Sequence, residues 1–220
     1  MERALIIGAS GGIGAALASA LVTRGVSVTG LSRREHGLDV TDQASVDAVL
    51  ARQEGPFDLV FVASGILAPD NGQPEKALDQ IDAGAMREVM AVNAIGPALV
   101  LRHAPRLLPR DGRCVVAVLT ARVGSIGDNG MGGWYAYRAS KAAANQIVHT
   151  AAIEIGRKRK EAVVVALHPG TVATPFTQAY PGHRKVAPEA AAENLLRVID
   201  GLTPADTGGF YDWAGEVVPW

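Results

Sequence analysis

Short solid apolar runs alternate along this chain with longer segments in which apolar positions recur every three or four residues. The runs are Ala4-Leu5-Ile6-Ile7, Val26 through Leu31, Leu59-Val60-Phe61-Val62, Cys114 through Leu119 and Val163 through Leu167. Rich in β-branched residues and without polar alternation, they predict strands covered on both faces, the mark of a parallel sheet. The periodic segments predict helices over 12–24, 43–53, 84–107, 134–157 and 188–201. The last opens Pro188-Glu189, a proline suited to a first helical turn and an acid that complements the helix dipole. Strand and helix in alternation predict an α/β architecture, a doubly wound parallel sheet with right-handed crossovers and helices on both faces. No repeat or low-complexity linker interrupts the pattern, so residues 1–220 read as one domain.

Polar, turn-rich loops follow the strands at 8–14, 32–37, 63–80, 120–133 and 168–187. In such sheets ligands bind off the carboxyl ends of the strands, so these loops are where chemistry is expected. Composition narrows the classes. Lys and Arg number 21 against 22 Asp and Glu, a net charge of -1, which argues against a protein built to hold nucleic acid. The basic run Arg157-Lys158-Arg159-Lys160 reads as a solvated helix end rather than a nucleic-acid or membrane-surface patch. A lone cysteine, Cys114, closes no intrachain disulfide. No uninterrupted apolar stretch of about 18 residues is present, and the first apolar run starts too early for a signal peptide. A cytoplasmic protein is the expectation. His36, His103, His149, His168 and His183 are scattered, and no metal site is predicted.

The first strand feeds Gly8-Ala9-Ser10-Gly11-Gly12-Ile13-Gly14. A strand, a glycine turn and a helix start in succession bring backbone N–H groups close to a pyrophosphate at the positive end of a helix. Gly8, Ser10, Gly11, Gly12, Ile13 and Gly14 are the candidate phosphate-loop residues of a Rossmann-type fold. At the tip of the second strand, Ser32-Arg33-Arg34 offers a hydroxyl and two cations where an acid would select the free ribose 2'-hydroxyl. This favours NADP(H) over NAD(H).

The spacing of Gly8, Gly12 and Gly14 resembles that of the short-chain dehydrogenase/reductase family, with Ile7 where the family usually has threonine. Other positions extend the resemblance. Asp39-Val40 is similar to the family's adenine contact, Ala63-Ser64-Gly65 to its Asn-Ala-Gly motif, and Asn93 to its mid-helix asparagine.

Tyr137-Arg138-Ala139-Ser140-Lys141 places a phenol and an ammonium on one helix face. Such an ammonium is expected to lower the phenol's pKa and fit it for proton exchange with a carbonyl or alcohol oxygen. Tyr135 faces elsewhere on the helix, so the role falls to Tyr137. The resemblance implies that Lys141 also holds the nicotinamide ribose and that Asn93 orders a water relay. It further implies a serine after the preceding strand, where Leu119-Thr120-Ala121-Arg122-Val123-Gly124 has Ala121 instead. Two hydroxyls lie near, Thr120 and Ser125. Alternation along the strand end favours Ser125 and leaves Thr120 as the alternative. Past the next strand, Pro169-Gly170-Thr171-Val172-Ala173-Thr174 resembles the family's segment against the nicotinamide. Pro169, Gly170 and Val172 then belong to the cofactor site, with Thr174 on the carboxamide. His168 reads as structural.

The substrate loop is expected from Pro175 to Val186, with Phe176, Tyr180 and the cationic His183-Arg184-Lys185. Met131, Trp134 and Tyr135 offer a further apolar wall. The stretches 123–126 and 132–141, with the closing Asp-Trp-Ala-Gly and Pro-Trp, are most similar to the family's C-factor or carbonyl-reductase-like branch. The expected activity is NADP(H)-dependent exchange of hydride with a small carbonyl or secondary alcohol. The rival, prompted by Ala121, is a dinucleotide-binding signalling or regulatory protein of the C-factor type with little turnover. The face Ala136, Ala139, Ala143, Ile147 suits either a homodimer contact or packing on the sheet.

Overall fold

The computed structural model describes residues 1–70, 72–178 and 184–220. Six parallel strands form one sheet: β1 (Arg3–Ile7), β2 (Ser27–Leu31), β3 (Leu59–Val62), β4 (Cys114–Leu119), β5 (Ala162–His168) and β6 (Phe210–Asp212). Their order is β2-β1-β3-β4-β5-β6, with every neighbouring pair parallel. The five runs expected as strands are strands. The sixth, three residues long, was not anticipated.

The helices are α1 (Gly12–Thr23), α2 (Arg33–His36), α3 (Gln43–Ala51), α4 (Ala83–Met90), α5 (Gly96–Leu101), α6 (Ala104–Leu107), α7 (Tyr135–Lys158) and α8 (Pro188–Gly201). On one sheet face, Leu5, Val60, Val116 and Val164 pack with Val46 and Leu50 of α3, Val100 of α5 and Val148 of α7. On the other, Ile6, Phe61 and Val165 pack with Leu17 of α1 and Leu195 of α8. Alternation along each strand thus fills two cores, which is why the runs carry no polar positions.

The helix expected over 84–107 is broken. Between α4 and α5 the chain widens into a π turn, Ala91–Ile95, and Pro97 and Pro105 sit at the starts of α5 and α6. Proline lacks the N–H that a continuous helix would use, so each restart falls where it is tolerated. The stretch Ala83–Leu101 is long and apolar enough to cross a bilayer by length and composition. Here it carries that break and buries Val89, Ala94 and Val100 inside the fold. On α7, Ala136 is buried while Ala139, Ala143 and Ile147 are half-buried, so part of that face remains open to a second copy.

Candidate active site

A cavity of about 710 Å³ opens at the carboxyl ends of the strands. The turn between β1 and α1 forms one wall, and the exits of β3, β4 and β5 form the floor and far side. Tyr137 and Lys141 enter from the start of α7. Ser10, Gly11, Gly12, Ile13 and Gly14 line the first wall, with Gly8 beneath them. A Cβ on Gly14 would stand 2.2 Å from the Gly8 carbonyl oxygen, and one on Gly12 would stand 2.6 Å from the Thr174 methyl. Side chains are therefore excluded where the turn meets the helix and where the 170s segment lies over it. Gly11 caps α1 without a side-chain bond, and the first turn holds no acid, leaving its N–H groups for an anion. Ala63, Ser64 and Gly65 form the adjoining floor, where the Ser64 hydroxyl is buried without a partner among the described residues. These residues fit a dinucleotide phosphate.

The tip of β2 holds a short helix where a loop was expected. Ser32 caps α2, its hydroxyl accepting from the Glu35 N–H at 3.3 Å and donating to the Glu35 carboxylate at 3.5 Å. That hydroxyl is turned inward, whereas Arg33 and Arg34 are exposed and make no ion pair among the described residues. Asp39 accepts from the Thr41 N–H and hydroxyl at 2.9 and 2.7 Å, bonds that hold its carboxyl below the usual range. Val40 packs on Gly96. Asp39 and Val40 both lie outside the cavity wall.

The start of α7 is unusual. Gly132, Gly133 and Trp134 are all left-handed, Trp134 at φ 53°, a conformation that costs a non-glycine residue energy. The helix is capped from a distance. The Glu75 carboxylate accepts from the Ala136 N–H at 3.2 Å, and the Glu75 carbonyl accepts from the Trp134 N–H. Glu75 is 6% exposed, and nothing in its polar loop marks it for this contact. The Tyr137 ring stands between Trp134 and Phe176, at centroid distances of 6.1 and 5.8 Å.

Lys141 Nζ donates to the Leu119 carbonyl at 3.0 Å and lies 5.7 Å from the Tyr137 ring centroid. Both side chains are buried. Burial pushes the phenol of Tyr137 well above its ordinary pKa and pulls Lys141 down to about 8. This reverses the shift expected for Tyr137, because the ammonium is itself desolvated and bonded elsewhere. Asn93 lies in the π turn, fully buried. Its Oδ1 accepts from the Ile66 N–H at 2.8 Å, and its Nδ2 donates to the Ile66 carbonyl at 2.8 Å and to Ser140 Oγ at 3.0 Å. Ser140 Oγ donates to the Tyr137 carbonyl, so Asn93 braces α7 beneath the phenol.

Ser125 does not line the cavity. It follows the turn Arg122–Gly124 and accepts from the Asp128 N–H at 3.0 Å. Thr120 and Ala121 both line the wall, because the chain leaves the sheet there and strict alternation ends. The Thr120 hydroxyl is buried and unpartnered among the described residues. On the far side, Pro169, Gly170, Val172 and Thr174 line the wall, and Thr174 and Thr177 cap the turn Pro175–Thr177 reciprocally. His168 lines it too, which its isolation in the sequence did not foretell. Tyr180 and His183 lie outside the described residues.

A profile of the enoyl-(acyl carrier protein) reductase family matches residues 8–211. A 1-hydroxy-2-glutathionyl-2-methyl-3-butene dehydrogenase from Rhodococcus sp. is 35% identical over 237 aligned positions, with the whole of each chain covered. The chain belongs to the short-chain dehydrogenase/reductase family. Within that family it is also similar to the C-signal protein of Myxococcus xanthus, 40% identical over 147 positions spanning 66% of this chain and 84% of that one. A short-chain dehydrogenase/reductase from Burkholderia multivorans, solved with bound NADP, superposes with a TM-score of 0.85 at 28% identity. It covers 100% of this chain and 99% of the other. This family member shares that fold and is an oxidoreductase by its relatives.

Proposed function

We propose that the protein is an NADP(H)-dependent carbonyl reductase or alcohol dehydrogenase. The observation that carries this reading is the shared cavity, in which the glycine turn, Tyr137 and Lys141 face one space. The phosphates would rest on the N–H groups of Ser10, Gly12, Ile13 and Gly14, the Gly11 N–H being held by the Gly8 carbonyl, with Ser64 beneath, and a ribose 2'-phosphate on Arg33 and Arg34. Pro169, Gly170, Val172 and Thr174 would back the nicotinamide. The bound dinucleotide supplies hydride to the substrate carbon or takes it away.

The chain's own part is the proton. A phenol held protonated by burial donates to a carbonyl oxygen, and the reverse transfer accepts from an alcohol. Lys141, its ammonium 5.7 Å from the ring centroid, would stabilise the phenolate left when the proton departs, until a proton returns from solvent, and Asn93 fixes the helix that carries both. Leu67, Met131, Trp134 and Phe176 make the substrate end apolar, which suits a small hydrophobic carbonyl or secondary alcohol. The NADP-bound Burkholderia structure and the dehydrogenase named for the Rhodococcus relative support the same reaction class.

Tyr137→Phe is expected to abolish NADPH consumption across a panel of ketones and aldehydes while leaving NADPH affinity within about twofold. An active Tyr137→Phe protein overturns the assignment. The similarity to C-signal, with alanine at position 121, favours a second reading, a dinucleotide-binding regulator with little turnover. Robust turnover of any substrate in the panel removes it.

A further inference from the structure

Ala121 carries no hydroxyl where the resemblance implies one to hold a substrate oxygen, and His168 lines the same cavity as Thr120 and Ala121. We propose that His168 makes the hydrogen bond to the substrate oxygen, held in the required tautomer by Thr120. This rests on the oxidoreductase reading above and names a further residue for its reaction.

Strand register brings the two residues together. Leu119 pairs with Leu167 across β4 and β5, and His168 pairs with Asp212 across β5 and β6. The Thr120 N–H continues the ladder by donating to the Leu167 carbonyl at 2.8 Å. Thr120 and His168 are therefore neighbours at adjacent strand tips, on the same sheet face. Both line the cavity together with Ala121. Thr120 Oγ1 and His168 Nδ1 are each buried without a partner among the described residues. Two neighbouring orphaned polar atoms in the wall of a ligand cavity call for a partner, because a buried polar group left unpaired is destabilising.

Their chemistries complement each other. A threonine hydroxyl is a donor, and a neutral imidazole has one accepting nitrogen. In the proposed arrangement Thr120 donates to the buried Nδ1, which fixes the proton on Nε2. Nδ1 is the nitrogen buried without a partner among the described residues, so the proposal gives Nε2 the cavity that His168 lines, where its N–H would donate to a carbonyl oxygen. The imidazole is held neutral, since burial pushes its pKa down to about 4 against an opposing pull from Asp212. It therefore orients the oxygen without competing with Tyr137 as the acid.

The other unpartnered groups do not compete for this role. Ser64 lies beside Gly8, on the phosphate side. Asn145, buried with both amide atoms unpartnered among the described residues, does not reach the cavity wall. Arg122 lines the wall but is committed to Asp128 at 2.6 Å.

The test compares wild type, Tyr137→Phe, His168→Leu, His168→Gln and the double variant His168→Leu/Ala121→Ser. The readouts are NADPH affinity by fluorescence titration, thermal midpoint, and kcat on a panel of ketones and aldehydes. Loss of one oriented donor lowers kcat by about 100-fold, so His168→Leu should fall by that order with NADPH affinity within about twofold. His168→Gln keeps an N–H at a similar reach and should retain most of kcat. Ala121→Ser in the leucine background should restore most of what was lost. An unchanged kcat in His168→Leu overturns the proposal, as does a loss that neither glutamine nor Ala121→Ser relieves. If Tyr137→Phe equals wild type, the reaction reading itself fails and the proposal falls with it. A wild-type kcat in His168→Leu beside an inactive Tyr137→Phe sinks the His168 role alone.

Discussion

Lys141 Nζ reaches across from the second turn of α7 to the carbonyl of Leu119, the last residue of β4, at 3.0 Å. Burial of the ammonium away from water lowers its pKa from 10.5 to about 8. The unfolded chain then binds more protons than the folded one between pH 8 and 10.5, so stability should rise with pH in that window. Tyr137 acts oppositely above about pH 10, where the unfolded phenol ionises and the buried one does not. Urea unfolding of the dinucleotide-free protein from pH 7.5 to 9.5 should show the rise, and Lys141→Met should flatten it. An equal slope in both proteins would contradict the assigned cause.

Two glycines of the first turn should fail differently. A Cβ at Gly14 meets backbone that cannot yield, at 2.2 Å, whereas one at Gly12 meets the end of the Thr174 side chain. Gly14→Ala is expected to lower stability by about 3 kcal/mol, the upper part of the range for overpacking. Gly12→Ala is expected to fold and to weaken NADPH binding by about tenfold, by displacing Thr174 from the cavity wall where the proposed cofactor lies. Chemical denaturation and fluorescence titration on both variants separate the two effects.

The proposed preference for NADP(H) rests on exposed cations, Arg33 and Arg34. Arg33→Ala should weaken NADPH binding while leaving NADH binding nearly unchanged, because only NADPH carries the 2'-phosphate. Titration of both dinucleotides against wild type and variant is the measurement. An unaltered ratio removes Arg33 from the phosphate site.

Asn93 is a structural brace as well as a candidate catalytic group. Asn93→Ala strips partners from the Ile66 N–H and carbonyl and from Ser140, and should cost about 3 kcal/mol. Its unfolding midpoint in urea must therefore be known before any fall in turnover is read as chemistry.

The site was legible in the sequence wherever one local pattern held both backbone and role. Gly8 to Gly14 is a turn in which a Cβ on Gly12 or Gly14 would clash, and Tyr137 and Lys141 share a face by helix geometry alone. Other parts depend on residues distant in the chain. Glu75 caps α7 from a polar loop with no spacing signal. Ser125 looked suitable by position but is spent on the Asp128 turn, while Thr120 stays in the wall because the strand ends there. His168 gains its place only from the register of β4, β5 and β6. The strand Phe210–Asp212 was missed because three residues are too few to show a period. The helix over 84–107 was drawn too long because apolar periodicity continues through the π turn and past Pro97.

The strand order β2-β1-β3-β4-β5-β6 also says something about time. The cavity takes one wall from each of four strand exits, and every neighbouring pair in that sheet is separated by a long crossover. Parallel sheets of this kind assemble slowly, since distant segments must meet before any contact rewards them. The cavity is therefore whole only once all the strands that wall it have joined the sheet, so its completeness reports on the sheet as a unit rather than on any one motif.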